Sequence, residues 1–378
     1  MLSHRDYGQP KKKNNHFVPR SYLVRFASKS ERQVGLYNLK SGRIIDVAPI
    51  RSQCARDYFY TKNPAFEEAL SRFEASQKKL FNKIIEDNWL PAPESLEHHE
   101  LMSLIMLQAG RTVTAAAHDD HILNEFGKAV LRKQLEKDER NDLLELLPEV
   151  RLKVPHGVIE AMARHLPMYP LLGDLEMTLF VNECKEDFIT SDHPIALCNN
   201  LPASASRGAN IGYSSRGLII LFPLSPRILL FLSDREVYKV AKDERDVSVI
   251  RNLRDAVELN LPQCFNAYEN LYFANKEKVP ETLAAFGRRR ENLRAPPASV
   301  VEIPAMSTAG RKGVLLTMPP PNRRMVLPAS VELRLAARKE KYRKGDAFVR
   351  DPMRVRAVEM ELDRLEKLRE PATEELEE

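Results

Sequence analysis

The segment PAFEEALSRFEASQKKLFNKIIED occupies residues 64–87 of this chain. Its apolar side chains recur every three or four positions, the spacing that places them along one side of an α-helix. We therefore predict a helix from about Pro64 to Asp87 with a single apolar face to bury. That face is formed by Phe66, Leu70, Phe73, Leu80, Phe81, Ile84 and Ile85.

The sequence before this helix is patterned as strands. Residues 33–39 alternate between polar and apolar side chains, residues 40–43 form a polar turn, and residues 44–47 are again strand-like. Two such runs joined by a short turn predict a β-hairpin. A short helix is predicted after Pro19, and residues 1–15 are polar and basic, as expected of a loose arm.

A second helix is predicted after the first. Pro91 and Pro93 interrupt the chain, and Ser95 has the side chain of a helix N-cap. The apolar face of this second helix also carries two polar residues, Gln108 and Arg111.

Further along, the apolar period shortens from that of helices to that of strands. Together these patterns predict an α+β fold with an N-terminal β-hairpin, a helical middle, a later, mostly antiparallel sheet and an extended, charged C-terminal tail. The elements expected after the second helix are further helix in 120–170, strands near 175–181, 218–222, 228–232 and 270–274, and a helix at 243–260.

The composition divides the chain into four predicted segments. They are a flexible basic arm (1–15), a single α+β core domain (16–278), a Pro/Arg-rich linker (279–329) and a charged helical tail (330–378). A linker rich in proline and arginine is a poor candidate for a core, so we expect it to run extended over the surface. Deleting residues 280–378 is then expected to leave a folded protein.

The charge of the chain is informative only where it clusters. The 378 residues are 43% hydrophobic and 29% charged, and the formal net charge of +5 is too small by itself to imply a nucleic-acid partner. Each basic cluster is either solvated charge or a contact surface for nucleic acid or another anion. The clusters are Lys11–Lys13 with Arg20 and Arg25, Arg288–Arg290 with Arg294, and Arg311 and Lys312 with Arg323 and Arg324.

The cysteines and the apolar runs bear on the compartment. The four cysteines are scattered with no Cys-x-x-Cys pair, which fits a reducing cytoplasm better than a disulfide scaffold or a zinc ribbon. The chain opens on polar residues, and no apolar run approaches the roughly 20 residues that span a bilayer. We predict a cytoplasmic protein outside the membrane, and no feature predicts an oligomeric state.

Two short polar motifs end in or contain a proline, Asn15–Arg20 (NHFVPR) and Ser191–Pro194 (SDHP). The residue before a proline is biased away from the helix, so both motifs are predicted on extended or turn backbone. His16 titrates near neutrality and is either a base, acid or metal ligand, or a structural residue. Asp192 is either a base or ligand at a strand end, or a cap for backbone N–H groups.

Further candidates lie on the two helices and in the first motif. Glu67 and Glu74 project from the same side of the first helix, and paired carboxylates bind Mg²⁺ or Mn²⁺ or act as acid and base. The alternative for both is a solvated helix edge. Arg111, set in an apolar face, needs a carboxylate or an anionic substrate as its partner. Gln108 and Arg20 complete the predicted substrate-binding set.

Other motifs are less specific. His118 and His121 have the i,i+3 spacing of metal ligands, and a solvated turn is the alternative. No Walker A loop, Gly-x-Gly-x-x-Gly, His-Glu-x-x-His, kinase or RNA-recognition signature is present, and the 14 glycines do not cluster. Nucleotide-cofactor chemistry is therefore not expected.

Taken together, these features resemble the bacterial domain-of-unknown-function family 4238, which is marked by an early His-Tyr-Val-Pro motif and a late Ser-Asp-Asn-Pro motif. The resemblance covers roughly residues 14–275 and includes the hairpin. Its motifs in this chain are His16–Pro19 (HFVP), Asp57–Tyr60 (DYFY), Glu67–Glu74 (EEALSRFE), Gln108–Thr112 (QAGRT) and Ser191–Pro194 (SDHP).

Two positions depart from the family pattern. Phe17 stands where the family has a tyrosine, so a phenol is not required there. His193 stands where the family has an asparagine and adds a titratable group. The resemblance implies the fold of residues 14–275 and no particular reaction.

The lead hypothesis is a cytoplasmic enzyme that acts on an anionic, nucleic-acid substrate, as a metal-dependent hydrolase or nuclease of the toxin or phage-defence kind. The alternative is a non-enzymatic nucleic-acid or protein-binding module. If the first is right, His16 and Asp192 lie within about 8 Å of each other, and His16→Ala and Asp192→Asn melt close to the wild type. The predicted catalytic residues are His16, Asp192, Glu67 and Glu74, and the predicted substrate-binding residues are Arg111, Gln108 and Arg20.

Overall fold

The structure, a computed structural model, leaves several stretches of the chain undescribed. The first 13 residues of the predicted basic arm, much of the predicted linker and the acidic end of the chain lie outside the described residues. The described residues are 14–28, 32–60, 64–154, 156–201, 212–290, 300–306, 312–317, 323–339 and 349–369.

The helices fall mainly in the middle of the chain. The predicted helix at 64–87 is confirmed at both ends, and the second helix begins after Ser95, whose hydroxyl caps it by accepting the N–H of His98 over 3.2 Å. The helices are α1 Arg20–Leu23, α2 Pro64–Asp87, α3 Leu96–Gly110, α4 Val113–Lys137, α5 Asn141–Leu144, α6 Gly157–His165, α7 Leu253–Asn266, α8 Pro280–Arg289, α9 Leu335–Lys339 and α10 Pro352–Arg369.

The strands lie before and after this helical middle. The predicted hairpin is present as β2 and β3. The strands are β1 Asn14–His16, β2 Gln33–Asn38, β3 Ile44–Pro49, β4 Ala55–Asp57, β5 Glu176–Asn182, β6 Thr190–Ser191, β7 Ala196–Asn199, β8 Leu218–Ser225, β9 Ile228–Ser233, β10 Tyr238–Val240, β11 Val247–Ile250, β12 Asn270–Phe273, β13 Val301–Met306, β14 Lys312–Thr317 and β15 Val331–Leu333.

Two sheets organise the core. The larger has the order β11-β5-β9-β8-β7 and is antiparallel except where β11 runs parallel to β5. The smaller, β3-β2-β12-β6, is antiparallel and joins the N-terminal hairpin to strands from the later half of the chain. The predicted α+β class, with its early hairpin, helical middle and mostly antiparallel later sheet, is confirmed.

The helices α1 and α2 pack on the larger sheet through aromatic side chains. Phe222 of β8 stacks on Tyr22 of α1 at a centroid distance of 5.4 Å and meets Phe81 of α2 edge-on at 5.4 Å. All three rings are at most 1% exposed. The C-terminal half of the apolar face predicted on α2 therefore covers the sheet, while Phe66 and Leu70 of its N-terminal half pack with Tyr60.

The helix predicted at 243–260 is wrong in its first half. Val247–Ile250 form β11 instead, because β-branched residues alternate there and pair in parallel with β5. The helix α7 begins only at Leu253, after Asn252, whose side chain accepts the N–H of Asp255 over 2.7 Å and caps it.

The boundaries predicted for the arm and the linker do not match the elements found. Asn14 and Asn15, assigned to the arm, belong to β1. Residues 280–289, assigned to the linker, form α8, because Pro280 suits a first helical position and a buried Phe286 packs within 5.8 Å of the Phe265 ring. The core thus continues past residue 278.

The C-terminal tail also contacts the core domain. The strand β15 pairs with β10, and Arg350, with a side chain only 5% exposed, makes an ion pair with Asp174 over 3.0 Å. A helix in the tail was expected, and α10 is present there. Among the described residues, no helix is long and apolar enough to cross a membrane.

Candidate functional site

The first motif begins on the short strand β1. β1 pairs with β4 so that His16 stands opposite Ala55, and Phe17 continues the pairing by donating its N–H to the carbonyl of Cys54 over 2.8 Å. The helices α2 and α3 carry the predicted carboxylates and the predicted arginine toward this strand.

Arg111 is the hub of the contacts around β1. Its side chain is 2% exposed. Nε donates to the Tyr60 hydroxyl over 3.0 Å, and Nη2 donates to the His16 carbonyl over 2.7 Å and to Glu74 Oε1 over 2.8 Å. Burial opposes the charge of Arg111, but Tyr60 and Glu74 outweigh it and raise its pKa. The carboxylate partner expected for Arg111 is therefore Glu74.

Gln108 and Glu67 also hold the first motif. Gln108 lies about one turn before Arg111 and donates to the carbonyl of Phe17 over 3.2 Å. Glu67 accepts a hydrogen bond from the side-chain nitrogen of Asn15. The side-chain oxygen of Asn15 accepts the N–H of Phe59 over 3.1 Å. The structure thus brings Gln108, Arg111, Glu67 and Glu74 together around His16.

The His16 imidazole is half-buried and has one nitrogen without a protein partner. Nε2 is buried and has no hydrogen-bond partner among the described residues, while the ring makes a backbone hydrogen bond to Ile50. Burial lowers the pKa of His16, and the positive charges of Arg20 and Arg111 lower it as well. The hydrogen bond to Ile50 and the charge of Glu74 raise the pKa but do not cancel the effect of burial. His16 is thus held as a neutral imidazole whose Nε2 lone pair is free.

Asp192 is engaged with a different part of the fold. Its Oδ1 accepts the N–H of Tyr268 over 2.8 Å, and its Oδ2 accepts those of Glu269 over 2.7 Å and Asn270 over 3.0 Å. Burial raises the pKa of Asp192 to about 6, against the effect of these three bonds. Of the two roles weighed for Asp192, the contacts describe the cap of backbone N–H groups. A shared cleft with His16 stays a prediction.

Side chains of α7 fix the rest of the second motif. Gln263 accepts from the Ser191 hydroxyl over 2.9 Å and donates to the Pro194 carbonyl over 2.8 Å. Asn266 donates to the carbonyls of His193 and Ile195. The motif is therefore a rigid turn whose main chain is bound by one helix.

The C-terminal turn of α3 contacts both motifs. Gln108 and Arg111 hold the main chain of residues 16–17, and the next residue, Thr112, places its Oγ1 2.7 Å from Nδ1 of His193. Sequence reasoning had singled out this turn as a family feature and had missed that Thr112 links it to the second motif. It had also missed Tyr60, although the DYFY step contains it. A polar contact between residues far apart in sequence leaves no local pattern to detect.

Two arginines of one predicted basic cluster bind groups of the protein itself. Arg289 binds Glu258 through two hydrogen bonds of 2.7 and 2.6 Å, and Arg290 donates to the carbonyl of Leu39. These two residues are therefore structural. Lys11–Lys13, Arg294 and Arg311 lie outside the described residues.

The two carboxylates nearest His16 already have protein partners. Within the described ranges, no three His, Cys, Asp or Glu side chains are close enough together to hold a metal ion, and this includes the pair His118 and His121. Glu74 is neutralised by Arg111, and Glu67 accepts from Asn15. A cavity of about 330 Å³ lined by Lys83, Trp89 and Arg245 lies at the other end of α2, and none of the site residues lines it.

One family model matches this chain. The family described as "Protein of unknown function (DUF4238)" matches residues 14–277, which is more than half of the chain and includes both motifs, α2 and α3. No curated protein and no solved structure matches the chain.

Proposed function

The chain belongs to the DUF4238 family, and from the site around His16 we propose that it is an enzyme that acts on an anionic substrate of the nucleic-acid class. In this proposal His16 moves the proton. Glu74, Arg111 and Gln108 hold the main chain of residues 16–17 and so fix the position of His16.

The observation that carries the proposal is the state of the His16 ring. A histidine works as a general base when one nitrogen is fixed by a hydrogen bond and the other keeps its lone pair for the substrate. His16 fits this arrangement, because its ring bonds to the backbone of Ile50 and its buried Nε2 has no partner among the described residues. Its lowered pKa keeps the ring neutral near pH 7, ready to accept a proton from an attacking hydroxyl or water.

The surface around the motif supports a phosphate-bearing substrate. Arg20, whose charge acts on His16, and Arg51, whose carbonyl accepts from Asn14 of β1, are both exposed, and Tyr58 is 44% exposed at the end of β4. Exposed arginines bind phosphates, and exposed aromatic rings stack on bases. A phosphodiester therefore fits this rim. His16 takes the proton of the water or hydroxyl that attacks phosphorus, the P–O bond to the leaving oxygen breaks, and that oxygen takes a proton from solvent.

No step of this proposal passes through a metal ion. Mg²⁺ or Mn²⁺ was expected from the pair Glu67 and Glu74, and the carboxylates found here do not fit that role because each already has a partner. The test of this proposal therefore compares activity with and without a divalent cation.

The test is cleavage of end-labelled RNA and DNA oligonucleotides by the purified full chain, in EDTA and in Mg²⁺ or Mn²⁺. We expect cleavage that His16→Gln abolishes. The matched control is His99→Gln, which changes a histidine at the opposite end of α3 and should retain cleavage. Activity that survives His16→Gln would overturn the proposed role of His16.

A binding module is the second candidate, and one observation favours it. Nε and Nη2 of Arg111 and the amide nitrogen of Gln108 donate to groups of the protein itself, as in a structural network. Retention of labelled RNA or DNA at two salt concentrations, without cleavage in any metal condition, would select this candidate over the enzyme.

We further propose the cytoplasm as the compartment and a toxin or phage-defence role as the setting. The four cysteines are buried and unpaired, which supports a reducing environment. Growth and phage plaque counts of bacteria that express the wild type or His16→Gln test this setting. Equal counts for the two would count against it.

A further inference from the structure

Arg323 is a partly buried cation beside the second motif. It donates to Oδ1 of Asn266 over 2.7 Å, and the amide nitrogen of Asn266 donates in turn to the carbonyl of His193. No ion pair joins Arg323 to a carboxylate within the described part of the chain, and burial lowers its pKa. A guanidinium removed from water without a counter-charge is costly, so an anion is the partner it lacks.

The backbone holds Arg323 in a fixed position. Its carbonyl accepts the N–H of Asn199 over 2.9 Å, and the N–H of Met325 donates to Asn200 over 3.0 Å. The segment that carries Arg323 is therefore tied to the end of β7, next to the turn that carries His193.

His193 presents its ring at the start of α4. Nδ1 lies 2.7 Å from Oγ1 of Thr112, which also caps α4 by accepting the N–H of Ala115 over 3.3 Å. The Thr112 hydroxyl keeps one proton and can give it to Nδ1, which leaves Nε2 of His193 as a donor. The positive end of the α4 dipole lies at the same point.

His165 lies near this point, because α6 approaches α3 at Gly110, two residues before Thr112, and the charge of His165 acts on His193. A Cβ added to Gly110 would lie 2.9 Å from Cβ of His165. Nδ1 of His165 lies 2.8 Å from the carbonyl of Ala161, and its ring packs edge-on against Tyr213 at 5.7 Å. Nε2 of His165 is left as the nitrogen that can bind a ligand once it is protonated.

The charges that face the two histidines are mostly positive. Burial holds the pKa of His193 at about 3, with Arg323, His165 and His118 adding to the effect. Burial also lowers the pKa of His165. In the protein as described, both rings are therefore neutral near pH 7.

The remaining groups around the cluster do not neutralise Arg323. Asp119 acts on His165, but its Oδ1 is bound to Arg164 over 2.8 Å. Burial raises the pKa of the Cys198 thiol to about 12 and also raises that of the Tyr213 phenol, so neither carries a negative charge near neutral pH.

We propose that Arg323, His193 and His165 form a second binding site, which takes a doubly charged phosphate group of a small molecule or of a nucleic-acid end. Arg323 supplies a permanent charge, and the two histidines supply donors from two other elements. This site stands on its own observations and does not depend on the proposed role of His16.

Binding at this site takes up protons. A dianion next to His193 and His165 favours their charged forms, so it raises their pKa values, and the empty protein must gain protons as the anion enters. Affinity is therefore expected to rise as the pH falls from 8 to about 5.5.

Calorimetric titration of the full chain with sulfate tests the proton linkage, because sulfate stays a dianion throughout this range. We expect the dissociation constant to fall by about tenfold from pH 8 to about 5.5, with proton uptake seen as a difference in heat between two buffers. Titration with a 5′-phosphorylated and a 5′-hydroxyl dinucleotide then separates a nucleic-acid end from a free anion.

Variants assign the binding to these residues. Arg323→Gln should weaken sulfate binding by about tenfold or more, whereas Arg324→Gln, a change at the exposed neighbour, should not. His193→Asn installs the amide found at this motif position in the resembling family and should bind sulfate with much less pH dependence. His16→Gln should bind like the wild type, so a failure of this site is separable from a failure of the proposed reaction.

Two results would overturn the proposal. One is sulfate binding that is equal in the wild type and in Arg323→Gln. The other is a wild-type chain that binds neither sulfate nor the phosphorylated dinucleotide at millimolar concentration.

Discussion

The guanidinium of Arg111 shows how one buried charge can serve the architecture of a site. Its bonds reach a carboxylate of α2, the Tyr60 hydroxyl and the main chain of His16. We expect Arg111→Ala to lower the free energy of unfolding by about 3–5 kcal/mol, because Glu74 and the His16 carbonyl would lose a buried partner. Urea unfolding of the purified variant measures this.

The control for Arg111 is another arginine with a carboxylate partner. Arg72 pairs with Glu68 over 2.7 Å on the exposed side of α2. Such exposed pairs contribute less than about 1 kcal/mol, so Arg72→Ala should unfold near the wild-type midpoint. Equal losses in the two variants would contradict the hub role of Arg111.

Asp192 leads to a revised prediction. From sequence, Asp192→Asn was expected to melt close to the wild type. The structure instead gives the carboxylate three backbone N–H donors, and an amide offers its own N–H to at least one of them. We now expect the free energy of unfolding to fall by about 1–3 kcal/mol, measured by urea unfolding beside Asp142→Asn, an exposed control. A loss at Asp192→Asn no larger than the loss at Asp142→Asn would restore the first expectation.

His193 gives a prediction for pH. Its folded pKa of about 3 lies below that of a free histidine, so the unfolded chain binds the extra proton first, and stability is lost as pH falls below about 6.5. At pH 5 this group alone should cost about 2 kcal/mol relative to pH 7.5. His193→Asn lacks the group, so urea unfolding should show a smaller acid loss than in the wild type. An identical pH dependence in both proteins would rule this out.

The residues of the site were only partly visible in the sequence. His16, Glu67, Glu74, Arg111 and Gln108 were found because polar residues stood at proline-bounded turns or at the borders of helical faces. Their partners were not found, because the carbonyls of residues 16, 17 and 50 carry no signature in the sequence. Which residue contacts which is a property of packing between distant segments.

At the scale of elements, α3 and α6 pack closely beside the turn of residues 108–112 that contacts both motifs. A Cβ at Gly110 would lie 2.9 Å from the carbonyl oxygen of Ala161 and 2.9 Å from Cβ of His165. We expect Gly110→Ala to cost about 1–3 kcal/mol by forcing the helices apart, even though alanine favours helix. Gly110→Ala should also weaken sulfate binding, because it would displace His165.

Gly287 is the matched control within α8. Nothing lies within 4 Å of a Cβ placed there. Gly287→Ala should therefore stabilise the protein by up to about 1 kcal/mol through helix propensity alone. Urea unfolding of both variants gives the comparison, and a loss at Gly287 similar to that at Gly110 would contradict the close-contact argument.

The elements were predictable where the pattern was local. α2 has an apolar repeat bounded by prolines, and α3 has a serine cap, so both were placed correctly. β11 was taken for helix because a strand of four residues is too short to show its period and is defined by its pairing with β5. α8 was missed because the arginines and prolines around it masked a short amphipathic stretch.

At the scale of the whole molecule, the C-terminal hundred residues hold several elements together. Phe286 is 4% exposed among apolar residues of α7 and β12, and β15 adds a strand beside β10. Arg350 donates to the carbonyls of Leu171, Tyr213 and Ser215 in addition to Asp174. The family match ends at residue 277, so Phe286, β15 and Arg350 lie outside the matched region.

The truncation first expected to be harmless is therefore expected to fail. A chain ending at residue 279 would expose the apolar surface that Phe286 covers and would leave Asp174 and Glu258 without their arginines. We expect it to aggregate or to lose its cooperative melt. A chain ending at residue 369 keeps α8, β15 and α10 and should melt like the full chain. If the chain ending at residue 279 instead melts cooperatively near the full-length midpoint, then the core folds without α8 and Arg350.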